Sequence, residues 1–164
     1  MTTQTNLHPT WQKKLQQRSA TPVTTPVAPA LIEWDEAAFC LGVEDMDATH
    51  AEFIALLNRL DVIPNSGYSA LFTQLIEHSR SHFDQEESRM LLCRFPATNE
   101  HTHEHRRVLG ELVRIGKQVD KGLVSFGRMY VREGLTEWFR LHAATMDSAL
   151  AAHWKHYLQQ AEVE

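Results

Sequence analysis

The stretch His82-Phe83-Asp84-Gln85-Glu86-Glu87 places an imidazole and a carboxylate four residues apart inside an otherwise apolar helical pattern. Residues at positions i and i+4 share one face of a helix. The face that carries His82 and Glu86 also carries Leu71 and Leu75, so it is expected to be buried. A buried imidazole or carboxylate without a partner costs free energy. We therefore expect a metal ion here, provided that other helices bring ligands to the same depth.

The composition is that of one globular domain with room for about four helices. Hydrophobic residues make up 43% of the 164 residues and charged residues 23%, whereas ten histidines exceed what such a composition requires. The formal net charge of −5 argues against nucleic acid or an anionic membrane as a partner. The sequence shows neither a membrane span nor a secretory signal, which predicts a cytoplasmic location.

Residues 1–30 differ in composition from the rest of the chain. They contain Pro9, Pro22, Pro26 and Pro29 among Thr, Gln, Ala and Val, which predicts a disordered tail. Within this tail, residues 11–18 are compatible with a short partner-binding helix or with an extension that has no function. Residues 31–164 are predicted to form the folded domain, which begins with an irregular N-terminal arm.

Hydrophobic periodicity predicts four helices after this arm. The first is capped by Asp45 or Asp47 and ends at the turn 64–67. The second runs over about 68–93, the third is capped by Thr98 and ends at 121–122, and the fourth begins near Ser125. The predicted buried positions are His50, Phe53, Leu57 and Leu60, then Leu71, Leu75, His78, His82 and Glu86, then His101, His105, Val108, Leu112, Ile115 and Val119, and finally Val131, Leu135, Trp138, His142, Thr145, Ala149 and Ala152. Short connections predict an all-α, up-down-up-down antiparallel four-helix bundle.

Antiparallel packing brings one group of polar side chains to the same end of this bundle. They are His50, His82, Glu86, His101, His105, His142 and Asp147. One zinc ion takes four ligands and a structural zinc site favours thiolates, so seven nitrogen and oxygen ligands fit two six-coordinate ions better. With both carboxylates and a solvent oxygen as bridges, one metal position stays open for a small ligand. Iron is favoured, with manganese left open, and the excess of histidine favours reversible O2 binding over oxygenation.

Asp147 does not fit a regular helix, because it follows His142 by five residues and would point away from it. We therefore predict a π-type turn between them, a feature that often marks functional sites. Trp138 lies one turn before His142 and is predicted to be core or to wall the O2 pocket. His78 is expected near the metal without binding it, and the remaining histidines are expected in solvent, namely His8, His103, His153 and His156.

The motifs together resemble the hemerythrin family, and within it the bacteriohemerythrins. They are Trp34, Gly42-Val43 with Asp47-Ala48-Thr49-His50, the stretch 82–87 with Met90, Phe95-Pro96 before His101-Thr102-His103-Glu104-His105, and Trp138 with His142 and Asp147. The resemblance runs from about residue 32 to the C-terminus. It implies a non-haem centre of two iron ions (Fe2+/Fe3+) with a bridging oxo or hydroxo group. His101, His105 and His142 would ligate one iron, His50 and His82 the other, and Glu86 and Asp147 would bridge them.

The resemblance further implies a protein that binds O2 and is not an enzyme. It would store or carry O2, or deliver it to an oxygen-consuming enzyme. Two alternatives stay open at this point. One is an O2 or redox sensor that signals to a partner through the N-terminal tail, and the other is a di-iron enzyme that acts on peroxide or nitric oxide.

Overall fold

The chain folds into five helices, four of them long, in a computed structural model that describes residues 29–161. They are α1 (Glu36–Phe39), α2 (Glu44–Val62), α3 (Asn65–Leu92), α4 (Thr98–Asp120) and α5, which is continuous through the segments Val124–Met129, Tyr130–Leu135, Thr136–His142, Ala143–Asp147 and Ser148–Ala161. Between residues 29 and 161 there is no strand, and no helix there is long and apolar enough to span a membrane. The all-α fold class is confirmed. The predicted disordered tail lies outside the described residues, apart from its last two positions.

The ends of the first two long helices differ from the prediction. Helix α2 begins at Glu44, so Asp45 and Asp47 lie in its first turn and do not cap it. The Asp47 carboxylate instead accepts hydrogen bonds from the backbone N–H groups of Leu41 at 2.6 Å and Gly42 at 3.1 Å. The turn predicted over 64–67 is shorter, because α3 already begins at Asn65 and Pro64 precedes its first turn. Aspartate thus fixes the entry into α2 by binding the arm rather than by capping the helix.

The connection between α3 and α4 follows the predicted break. Helix α3 ends at Leu92, and Arg94 takes a positive φ of 53° before Phe95-Pro96. Thr98 is the first residue of α4 rather than its cap, and its hydroxyl donates to the carbonyl of Phe95 at 2.6 Å. At the other end of α4, Gly122 has a φ of 91°, a conformation that stops a helix and favours glycine.

Burial follows the predicted stripes in α2, α3 and α4, where only His78 is half-buried rather than buried. In α5 the predicted positions Val131, Leu135 and His142 are buried and Trp138 is half-buried, whereas Thr145, Ala149 and Ala152 are exposed. The segment Ala143–Asp147 is π-helical, and the extra residue in its turn rotates the following helix. The buried face therefore continues through Ala143, Asp147, Leu150 and Ala151.

Two apolar clusters make up the core, and the polar residues lie between them along the helices. The larger cluster includes Phe53, Leu75 and Phe139. The smaller one consists of Val43, Met46, Met90, Cys93, Leu150 and Ala151. Each of α2, α3 and α5 passes from one cluster to the other through the predicted ligands. The fold thus encloses one polar layer within an apolar core.

Candidate metal centre

The structure brings all seven predicted ligands together in that polar layer. Each of the seven side chains is buried, and the two carboxylates, Glu86 and Asp147, are only 1% and 0% exposed. The potential ligand atoms form two overlapping groups, and within each group the atoms lie within 4.8 Å of one another. The five-residue group is Glu86, His101, His105, His142 and Asp147. The four-residue group is His50, His82, Glu86 and Asp147.

The two carboxylates divide their oxygens between the groups. Glu86 turns Oε1 toward His82 Nε2 at 3.1 Å and Oε2 toward His105 Nε2 at 3.2 Å. Asp147 turns Oδ2 toward His50 Nε2 at 3.1 Å, while its Oδ1 lies 3.1 Å from His142 Nε2 and from His101 Nε2. Each carboxylate therefore faces one group with one oxygen and the other group with the second. This is the arrangement in which a carboxylate can bridge two metal ions.

Asp147 reaches this position because of the π-helical segment Ala143–Asp147. On a regular helix, a residue five positions after His142 would point about 140° away from it. The wider turn instead aligns the Asp147 side chain with that of His142, and their Oδ1 and Nε2 atoms lie 3.1 Å apart. The predicted π-type turn is confirmed, and it is the local feature that completes the cluster.

Several polar atoms at the centre of the cluster are left without a hydrogen bond by the described residues. Within the described part of the chain, His50 Nε2, Glu86 Oε2 and both Asp147 oxygens are buried and unpartnered, although imidazole nitrogens lie nearby. His142 Nε2 faces the Nε2 atoms of both His101 and His105 at 3.1 Å. Lone pairs that converge in this way are costly in an apolar interior unless a cation lies among them. Because imidazole and carboxylate are ligands that iron accepts, the residues present fit a pair of such ions.

The protonation of the metal-free cluster reflects the same crowding. Burial would raise the pKa of both carboxyls, but the surrounding histidines hold the pKa of Glu86 and of Asp147 well below the usual range. Burial would lower the pKa of His101, yet the nearby carboxylates of Asp147 and Glu86 raise it to about 9. Burial lowers the pKa of His105 despite the nearby Glu86. Without metal, protons therefore supply part of the positive charge that balances two buried carboxylates.

Aromatic rings pack against the cluster on both sides. Phe139 contacts His50 edge-on, with ring centroids 5.3 Å apart, and His50 Nδ1 lies 3.5 Å from the carbonyl of Phe39. On the side of the three histidines, Trp138 stacks on His142 with centroids 4.6 Å apart. The sequence reasoning missed Phe139, although Leu135, Phe139 and His142 keep the spacing of 4 and 3 that marks a buried helix face.

The other histidines among the described residues lie outside the two groups. His78 Nε2 is 3.3 Å from the carbonyl of Thr49, and its Nδ1 is 3.7 Å from Glu52. His103 and His156 are exposed, as predicted. The prediction for His153 is wrong, because its half-buried ring donates from Nε2 to the carbonyl of Cys93 at 3.0 Å. His8 lies outside the described residues.

Comparison with known proteins agrees with this site and fold. The family described as the hemerythrin HHE cation binding domain matches residues 41–154, and the chain belongs to this family. A bacteriohemerythrin from Ralstonia nicotianae is 33% identical over 117 residues, which cover 71% of this chain and 84% of that protein.

Solved structures show the same fold at lower identity. A crystal structure of wild-type hemerythrin matches with a TM-score of 0.68 and 20% identity, over 76% of this chain and 98% of the other. A leucine-to-alanine mutant of hemerythrin matches with a TM-score of 0.69, also at 20% identity, over 77% of this chain and 98% of the other. These structures show the helical-bundle fold, and the family match places the chain among the hemerythrins, an iron-binding and oxygen-binding family.

Proposed function

We propose that this chain holds two iron ions in the seven-residue cluster and uses them to bind O2 reversibly. His101, His105 and His142 would hold one iron, His50 and His82 would hold the other, and Glu86 and Asp147 would bridge. The observation that carries the proposal is the overlap of a five-residue group with a four-residue group through two shared carboxylates. When bound, the iron pair supplies electrons to O2 and an open position for it.

The unequal size of the two groups favours the side of His50 and His82 for the small ligand. Five residues would hold the ion on one side and four the ion on the other, so the side with fewer ligands would keep room for a small ligand. Phe139 lies against His50 on this side, and Phe53 packs on Phe139 with ring centroids 4.7 Å apart. An apolar wall of this kind suits a small apolar gas and excludes the water that would promote its loss. The chain's own contribution is thus to fix the ligands and to keep the site dry.

We propose that the site binds O2 rather than catalyses a reaction. We also propose that the bound O2 is stored, transported or delivered to another protein. Storage, transport and delivery of O2 to an oxygen-consuming enzyme all need the same reversible site. The sensor alternative depends on residues 1–30, most of which lie outside the described part of the chain, and the enzyme alternative needs a turnover measurement. A cytoplasmic location stays a prediction.

The proposal is tested by O2 uptake. Iron-loaded protein is reduced without air and titrated with O2 in an oxygen electrode cell. We expect one O2 bound for each pair of irons, with the gas recovered when the solution is degassed. Continued consumption of O2 beyond that ratio would show turnover and would contradict a binding role.

A further inference from the structure

The three histidines of the five-residue group lack the usual support at their second ring nitrogen. The Nδ1 atoms of His101, His105 and His142 are buried and have no hydrogen-bond partner among residues 29–161. A metal-binding histidine commonly donates its other N–H to a carboxylate or a carbonyl, which fixes the orientation of the ring. For these three rings the orientation must therefore come from packing.

Two of the three rings are stacked on aromatic side chains. Phe83 lies against His105 with centroids 4.0 Å apart and an interplanar angle of 10°. Trp138 lies against His142 with centroids 4.6 Å apart and an angle of 24°. Phe83 and Trp138 also meet edge-to-face at 6.1 Å, so the two stacks support each other. The plane of the His142 ring therefore depends on where the indole of Trp138 is held.

The indole is held by one hydrogen bond to a neighbouring helix. Trp138 Nε1–H donates to Glu104 Oε1 at 2.9 Å, and this N–H is the only polar group of the indole ring. Glu104 is held in turn by Arg107, whose Nε donates to Oε2 at 3.0 Å and whose Nη2 donates to Oε1 at 2.6 Å. Arg107 also donates to Glu111 at 2.8 Å. A bidentate arginine contact fixes a carboxylate more strictly than a single bond does.

We infer that Glu104 is a positioning residue for the metal centre, because its carboxylate holds the Trp138 indole flat against His142. The inference rests on the proposed function, since it assumes that His142 binds metal. Glu104 directly precedes His105 in α4, so one turn of this helix supplies a ligand and also orients a ligand on α5. The ordinary alternative is a surface ion pair between Glu104 and Arg107, which would leave the metal centre unaffected.

The test measures Co2+ binding to the full chain, because the visible absorption of Co2+ reports the geometry of its ligands. Glu104→Ala should weaken Co2+ binding about 10- to 100-fold and change the intensity of this absorption. Glu104→Gln should stay close to wild type, because its amide oxygen can still accept from the indole. Glu100→Ala is the matched control, since it removes an exposed glutamate one turn earlier on α4.

A double substitution tests the route through the indole. Trp138→Phe keeps an aromatic ring beside His142 but removes the N–H group. If Glu104 acts through that group, Glu104→Ala should cause no further loss of Co2+ affinity when it is added to Trp138→Phe. Unfolding of the metal-free variants is followed in parallel, because a purely structural role would lower stability without changing the Co2+ absorption.

The outcomes separate the two proposals. Wild-type affinity and absorption in Glu104→Ala would overturn the positioning role while leaving the metal centre intact. Additive losses in the double variant would overturn the route through Trp138. Wild-type protein that binds no Co2+ or iron would overturn the proposed function, and this inference with it.

Discussion

Replacing His82 with alanine should remove one of the two metal ions and leave the other. His82 belongs only to the four-residue group, where its Nε2 faces Glu86 Oε1 at 3.1 Å. Without it, that group keeps one histidine and the two shared carboxylates. The five-residue group keeps every member. We therefore expect two irons per chain in the wild type and one in His82→Ala.

The size of the effect can be worked out from the two groups, treated as independent sites. Free metal about 1,000-fold above the Kd of a site stabilises the folded state by about 4 kcal/mol, so two sites contribute about 8 kcal/mol. In a domain of this length, 1 kcal/mol raises Tm by about 2–4 °C. Metal should then raise Tm by about 16–32 °C in the wild type and by about 8–16 °C in His82→Ala.

The assay compares Tm with and without metal for each variant, beside the iron content. The lost imidazole leaves a cavity that lowers Tm both with and without metal. The difference between these two Tm values therefore does not contain the effect of the cavity. His103→Ala is the matched control, since His103 is an exposed histidine on α4. A His82→Ala protein with two irons and the full gain in Tm would refute the assignment of His82. Loss of both irons would refute the division into two groups.

Three further predictions concern the fold and the pH dependence of stability and of metal binding. Arg128 donates to the carbonyls of Leu60 at 2.7 Å and Asp61 at 2.8 Å at the end of α2, so Arg128→Ala should lower the free energy of unfolding by about 2–4 kcal/mol. Arg132→Ala removes an exposed ion pair with Asp61 and should lower the free energy of unfolding by less than about 1 kcal/mol. If urea unfolding gave the same loss for Arg128→Ala and Arg132→Ala, this prediction would be contradicted. Burial raises the pKa of Tyr68 to about 12, although the positive charge of Arg128 opposes this rise. The neutral Tyr68 hydroxyl therefore stabilises the fold fully below about pH 10, and this stabilisation is lost as the pH rises through about 12. The usual tyrosine pKa is about 10, so between about pH 9 and 11 Tyr68→Phe should lose less stability than the wild type. Parallel curves of the free energy of unfolding against pH would show the reasoning to be wrong. The pKa of His101 is raised to about 9, so at about pH 7 this histidine must lose a proton before it can bind metal. Metal binding should therefore release protons, and Co2+ affinity should rise from about pH 7 to 9. A Co2+ affinity that does not depend on pH would contradict this prediction.

The bundle and the cluster could be predicted because their signals are periodic. Apolar residues at spacings of 3 and 4 determine which face of a helix is buried, and polar residues on that face must then meet inside the bundle. The spacing of five between His142 and Asp147 even predicted the π-helical segment. The same extra residue rotates the rest of α5, so the regular stripe through Thr145 and Ala149 is wrong there, and the buried face lies at Asp147, Leu150 and Ala151.

The features that escaped the sequence depend on contacts between distant residues. A second π-helical segment lies at Tyr130–Leu135. No pair of predicted ligands five residues apart marks it in the sequence, so only the structure reveals it. The bond from Trp138 to Glu104 joins residues 34 positions apart. Helix α3 begins at Asn65 because Pro64 is its N-cap residue, whereas the composition of residues 64–67 suggests a turn.

The central claim is that two metal ions lie in the seven-residue cluster and share Glu86 and Asp147. Anomalous diffraction from a crystal of iron-loaded protein, measured on both sides of the iron absorption edge, tests this claim most directly. We predict two iron peaks, one among His101, His105 and His142 and one beside His50 and His82, with both carboxylates between them. A single peak, or two peaks with Asp147 bound to neither, would contradict the account.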